Sequence, residues 1–233
     1  MRRLLILGLA VAALASAATG QTANPALPAA ADFSPRVTNG WFPLTPGTTL
    51  VYRGSKDGKA ARDVFTVSRQ TTVINGVRCA VVHDRLYLDG QLHERTTDWY
   101  AQDRQGNVWY FGEATAVLDR SGRVVDTEGS FQAGRDGAQA GLFIPGKPRI
   151  GKGFRQEYYK GHAEDQFRVL SLAAPITTPF VTSTRALLTA ETTPLEPGVV
   201  DHKYYVRGIG TVLEEAVKGG TERLVLVSVT HAG

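Results

Sequence analysis

The chain has 233 residues, enough for one domain and at most two. Hydrophobic residues make up 42%, which excludes wholesale disorder. A formal charge of +4 without a basic run excludes a nucleic-acid footprint, and the single cysteine, Cys79, excludes an intrachain disulfide framework and every multi-cysteine metal or redox motif.

Residues 1–18 begin Met-Arg-Arg, continue almost entirely apolar from Leu4 to Leu14, and reach the small residues Ala15-Ser16-Ala17. A charged start, a short apolar core and a small-x-small site predict an export signal cleaved after Ala17 or Ala18. The expected location is therefore periplasmic or secreted. The apolar stretch falls short of the roughly 20 residues of a membrane span, and no other segment approaches that length. Residues 19–40 are rich in Ala, Pro, Thr and Asn and read as a flexible linker. A single β domain is expected over 41–233.

From Thr48 onward the sequence is written in short alternating runs separated by turn dipeptides. Asp57-Gly58, Asn75-Gly76 and Asp89-Gly90 are two-residue hairpin signals, because both central positions of the favoured turn need positive φ. Asp103-Arg104-Gln105-Gly106 reads as a type I turn followed by a left-handed glycine and a one-residue bulge. These signals predict strands near 48–56, 59–72, 77–88, 91–103 and 107–118. A second group is predicted near 153–160, 163–172, 181–192, 199–207, 211–218 and 221–230. Residues 134–152 show little alternation and read as a long loop. The expected fold is all-β, an antiparallel barrel or half-barrel of about 10–12 strands, with a two-sheet sandwich as the alternative.

The turns also set registers, and a register sets which residues share a face. The Asp89-Gly90 turn places Arg85 opposite Glu94 and Asp84 opposite Arg95, two opposite-charge pairs from one alignment. The bulged turn at 103–106 places Trp99 opposite Phe111 and Ala101 opposite Trp109. One face then carries Tyr52, Phe65, Trp99, Trp109 and Phe111 with several aliphatics, and is assigned to the interior. The same face carries Arg69, Asp84, Arg95 and Glu113, and Glu157 joins them if Tyr159 points inward. Two readings of these charges stay open: a self-neutralising ion network, or a polar anchor at the base of an aromatic ligand cavity. On the second reading these ten residues are the candidate ligand-binding set.

The segments Asp98-Trp99-Tyr100-Ala101-Gln102-Asp103, Gly106-Asn107-Val108-Trp109-Tyr110-Phe111-Gly112-Glu113 and Gln156-Glu157-Tyr158-Tyr159 with Ala163-Glu164-Asp165 carry a resemblance. The chain resembles a family of uncharacterised exported bacterial β-proteins over most of 41–230. The resemblance implies export and a β fold, and brings no catalytic residues. In architecture the expected sheet is also similar to lipocalins and to periplasmic lipoprotein-carrier half-barrels, which implies an apolar ligand by analogy of fold.

No other constellation carries a reaction. The five histidines have no zinc-protease spacing, there is no Gly-x-Ser-x-Gly elbow, and Gly151-Lys152-Gly153 lacks the context of a phosphate loop. Cys79, inside a strand, reads as a small packed thiol. The function expected is a monomeric binding or carrier protein for an apolar or amphiphilic molecule, with no cofactor and no metal. The alternatives are an envelope or extracellular hydrolase using Glu113, Glu157 or Asp165 as an acid, and a purely structural envelope protein.

Overall fold

The computed structural model describes residues 24–232; the leader at 1–18 and the first part of the 19–40 segment lie outside the described residues. Sixteen strands form one continuous sheet. They are β1 (Phe33–Ser34), β2 (Thr48–Lys56), β3 (Lys59–Ile74), β4 (Val77–Leu88), β5 (Gln91–Asp103), β6 (Val108–Leu118), β7 (Val124–Asp126) and β8 (Phe131–Gln132). There follow β9 (Gln139–Ile144), β10 (Gly153–Arg155), β11 (Glu157–Tyr158), β12 (Gln166–Thr177), β13 (Thr182–Thr192), β14 (Val200–Val206), β15 (Gly210–Lys218) and β16 (Arg223–His231). The only helical element among the described residues is one 3-10 turn, Ala30–Asp32.

The sheet curls into a nearly closed antiparallel barrel of 13 strands, which decides against the two-sheet sandwich. The order of the ladder shows how it closes. It begins at β10, passes through β12 to β16 and β2 to β6, and finishes at β9 and β11. Since β10 and β11 are separated only by Gln156, one extended segment borders both edges of the sheet. Closure of this kind removes the exposed edges that an open sheet would present to other chains.

The turn chemistry behaves as the residues require. Asp57, Asn75 and Asp89 have φ of 51°, 47° and 51°, and the glycine after each is also positive, so all three hairpins are the primed type whose twist matches the strands. Gly106, with φ 82°, forms the bulged turn between β5 and β6.

Two further bulges overturn part of the expected face assignment. Leu88 pairs with Gln91 and Tyr87 with Leu92, but Leu86 then pairs with Glu94, so His93 is an extra residue on β5. One extra residue exchanges the faces of everything beyond it. Arg85 therefore stands opposite Arg95, and Asp84 opposite Thr96. Arg95 is exposed, whereas Thr96, Asp98 and Tyr100 are buried. On β6, Tyr100 pairs with Tyr110 but Trp99 pairs with Gly112, which makes Phe111 the extra residue there. Beyond it Glu113 stands opposite Asp98, not Thr97.

The result is two apolar cores on the two faces of one sheet. Inside the barrel lie Val67, Val82, Tyr100, Val108, Tyr110 and Tyr205. On the other face Trp109 and Phe111 pack with Cys79, Ala101 and Leu142. Phe33 covers this outer core edge-on, with ring centroids 6.2 Å from Trp109 and 5.2 Å from Phe111. The 24–40 segment is anchored to the barrel at separate points: β1 pairs with β5, and the Asn24 amide and the Arg155 backbone exchange two hydrogen bonds. The expected 134–152 loop also contains a strand, β9, paired with β6. Leu142 and Ile144 are buried on opposite faces of it. A strand covered on both sides reads as an apolar run without alternation, which hid it.

Candidate functional site

The interior holds a cavity of about 250 Å³. One side is built by Phe42, Leu50, Tyr52, Phe65, Phe143 and Leu224. Phe42 arrives from the segment before β2, anchored by a bridge between Val37 and Leu44, and packs its ring 4.6 Å from Phe143, 5.3 Å from Tyr100 and 6.0 Å from Phe65. Tyr100 and Tyr110 stack at 4.7 Å below it. The Tyr52 hydroxyl donates to the Thr211 carbonyl at 3.0 Å, which keeps its ring against the apolar wall.

The other side is acidic. Asp63, Asp84, Glu113, Glu157, Asp165 and Glu214 border the cavity with Lys203. A wider recess of about 670 Å³ continues from them along β5 and β6 toward Glu94 and Thr115, sharing Glu113, Glu157, Asp165, Lys203 and Glu214 with the cavity. Strand alternation explains the concentration. Asp63 shares a face with Phe65 on β3, Asp84 with Val82 and Leu86 on β4, and Lys203 with Tyr205 on β14.

The polar groups form two linked clusters. Lys203 stands opposite Glu214 across β14 and β15, and its Nζ lies 2.9 Å from Glu191 Oε2 and 3.3 Å from Glu214 Oε1. Glu191 Oε1 accepts from Tyr205, Thr189 and Gln156 at 3.2, 3.3 and 3.4 Å. In the second cluster Asp63 and Asp84 are diagonal neighbours across β3 and β4, and both border the cavity. The Tyr110 hydroxyl donates to Asp98 Oδ1 at 2.5 Å.

Burial sets the protonation of these groups. It pushes Asp98 up to about 8, helped by the charge of Asp84, and Glu157 up to about 8, helped by Asp165. Burial raises Glu214 to about 7 despite Lys203 beside it. Asp63, Asp84 and Glu113 are all raised by burial first; Asp84 adds to the rise of Asp63, and Glu157 to that of Glu113. Burial works against the charge on Lys203, but Glu191 and Glu214 outweigh it and hold the ammonium well above the ordinary lysine range. These are the responses of carboxyls removed from water with too few cations to balance them.

Of the ten candidate residues read from the sequence, the structure brings Tyr52, Phe65, Asp84, Glu113 and Glu157 to the cavity. Trp109 and Phe111 are buried in the outer core, and Trp99 packs against that core from the same face. Arg95 points away because of the bulge at His93, and Arg69 is exposed, donating to the Ala232 carbonyl at 2.6 Å. The proposed Asp84–Arg95 pair is replaced by Asp84–Asp63. Asp63, Lys203 and Glu214 were missed, although Asp63 lies two residues from Phe65 and alternation alone would have found it. Cys79 is buried, and burial pushes its thiol up to about 12, so it is a packed thiol. Among the described residues no group of three or more His, Cys, Asp and Glu is placed to hold a metal ion, and no helix is long and apolar enough to cross a membrane.

No protein-family model matches the chain, and no curated protein matches it. Two solved structures do. One is a candidate exported protein with YmcC-like fold from Bacteroides fragilis NCTC 9343, 14% identical, with a TM-score of 0.46, covering 82% of this chain and 98% of that one. The other is a candidate lipoprotein from Parabacteroides distasonis ATCC 8503, 12% identical, with a TM-score of 0.44 and the same coverage of both chains.

Proposed function

We propose that this protein is an exported binding or carrier protein for an amphiphilic molecule, held inside the barrel. The observation that carries this reading is the two-sided cavity: an aromatic and aliphatic wall faces a wall of carboxyls around Lys203. A purely structural barrel of this size would close its interior with its own side chains. An apolar enclosure with a few convergent polar groups is the usual form of a small-molecule site. Export rests on the leader at 1–18, and N-terminal sequencing of protein recovered outside the cytoplasm tests it: a chain beginning near Ala18 supports export, and an intact Met1 contradicts it.

The test of binding is organic extraction of protein purified without detergent, followed by mass spectrometry. One apolar or amphiphilic molecule per chain is expected from the wild type, and none from a folded Leu224→Trp variant whose cavity is filled. Equal yields from both would contradict the reading. A second reading, hydrolysis, is favoured by Glu157, which at about 8 would carry a proton to donate at neutral pH. Glu113→Gln and Glu157→Gln would then abolish turnover while leaving binding and folding in place.

A further inference from the structure

The whole chain is net basic, yet the cavity is bordered by six carboxyls and one ammonium. Composition therefore does not account for the acidity of the interior. The one ammonium is also already engaged, with Glu191 at 2.9 Å and Glu214 at 3.3 Å. Asp63 adds an independent observation. Its Oδ1 is buried, borders the cavity wall, and has no hydrogen-bond partner. A buried carboxyl oxygen left without a donor costs more than its hydrogen bond would contribute. It is the acceptor that a ligand donor would satisfy.

We propose that the head group recognised in this cavity is a protonated amine, an ammonium carried on an apolar chain, with Asp63 Oδ1 as its acceptor. This rests on the reading that the cavity binds an amphiphile. The chemistry selects among head groups. A fatty acid would bring a further negative charge into a site that already holds six carboxyls. An alcohol could satisfy Oδ1 but would bring no positive charge to favour an ionised carboxylate there. A metal ion would need several converging ligands, and none are so placed among the described residues. An ammonium supplies three donors together with a positive charge that favours the ionised carboxylate. The apolar chain then lies against Phe65, Phe143, Leu50 and Leu224, on the wall that the carboxyls do not occupy.

Calorimetric titration of the mature protein with octylamine, octanol and octanoate at pH 7.5 tests this. A charge-assisted hydrogen bond in a buried site corresponds to about tenfold or more in affinity, so octylamine should bind at least about tenfold tighter than octanol, with octanoate the weakest. Asp63→Asn should reduce the octylamine affinity by about tenfold and leave octanol unchanged. Octanol or octanoate binding as tightly as the amine would overturn the head-group assignment while leaving the binding reading intact. Absence of binding by all three would overturn both. The wild-type comparison decides the matter even if the variant fails to fold.

Discussion

Asp63 and Asp84 border the cavity as diagonal neighbours across β3 and β4, at the place where opposite-charge pairing had suggested an aspartate–arginine pair. Burial raises both carboxyls and the charge of Asp84 raises Asp63 further, so the pair resists carrying two negative charges. An asparagine at 84 carries no charge and presents an N–H donor to Asp63 at any pH. Asp84→Asn should therefore raise stability at pH 8.5 by about 1–2 kcal/mol and leave it nearly unchanged at pH 4.5. Urea midpoints at the two pH values check this. Equal shifts at both would show that the charge of Asp84 does not act on Asp63.

The stability of the whole barrel should fall as pH rises through neutrality. Asp98 and Glu157 titrate near 8 in the folded chain and near 4 when unfolded. Between those values the folded state holds more protons than the unfolded one, so deprotonation favours unfolding. Their contribution is fully present at about pH 4 and below, and is lost by about pH 8 to 9. Thermal midpoints should decline across this window. Asp98→Asn, which still accepts from the Tyr110 hydroxyl, should flatten the decline. A midpoint that rises from pH 5 to pH 8 in the wild type would contradict the burial of these groups.

The two arginines at the first bulge should behave oppositely to what a regular hairpin implies. Arg95 is exposed and faces Arg85, so Arg95→Ala should change stability by no more than about 0.5 kcal/mol. Arg85 is half-buried and donates to the carbonyls of Asp84 and Thr96 at 2.5 and 2.7 Å. Its loss should cost about 1.5–3 kcal/mol. Urea unfolding of the two variants compares them. A larger effect from Arg95 would restore the bulge-free register.

How much of this was legible depended on where a glycine marked the backbone. The hairpins at Asp57-Gly58, Asn75-Gly76 and Asp89-Gly90 were readable, because positive φ at two adjacent positions restricts the residue types. The bulge at Phe111–Gly112 left a signal, an isolated glycine inside a strand. The bulge at His93 left none, and the two salt bridges of the regular register argued against it. What decides is burial at a distance. The shift delivers Tyr100 to the inner core and leaves Trp99, Trp109 and Phe111 for an outer core that Phe33 covers edge-on. That cover comes from a segment whose composition reads as a tether. Glu113 reached the expected inner face only because the two bulges cancel.

The second bulge can be tested by substitution. Gly112 has φ +137°, and a Cβ there would lie 2.3 Å from the Phe131 carbonyl oxygen. Gly112→Ala should cost more than about 2 kcal/mol, combining backbone strain with that clash. Gly58 has φ +73° with open space around it, so Gly58→Ala should cost only about 1–2 kcal/mol. Denaturant unfolding of both variants gives the comparison, and equal costs would mean that β6 has no bulge at this point.

The central claim is that the barrel encloses a site for an apolar chain. Fluorescence titration of the mature protein with N-phenyl-1-naphthylamine, a neutral apolar probe that brightens out of water, tests it most directly. The account predicts saturable binding of one probe per chain, loss of that binding in a folded Leu224→Trp variant, and displacement by octylamine. A probe signal that does not saturate, or that the filled variant retains in full, would contradict it.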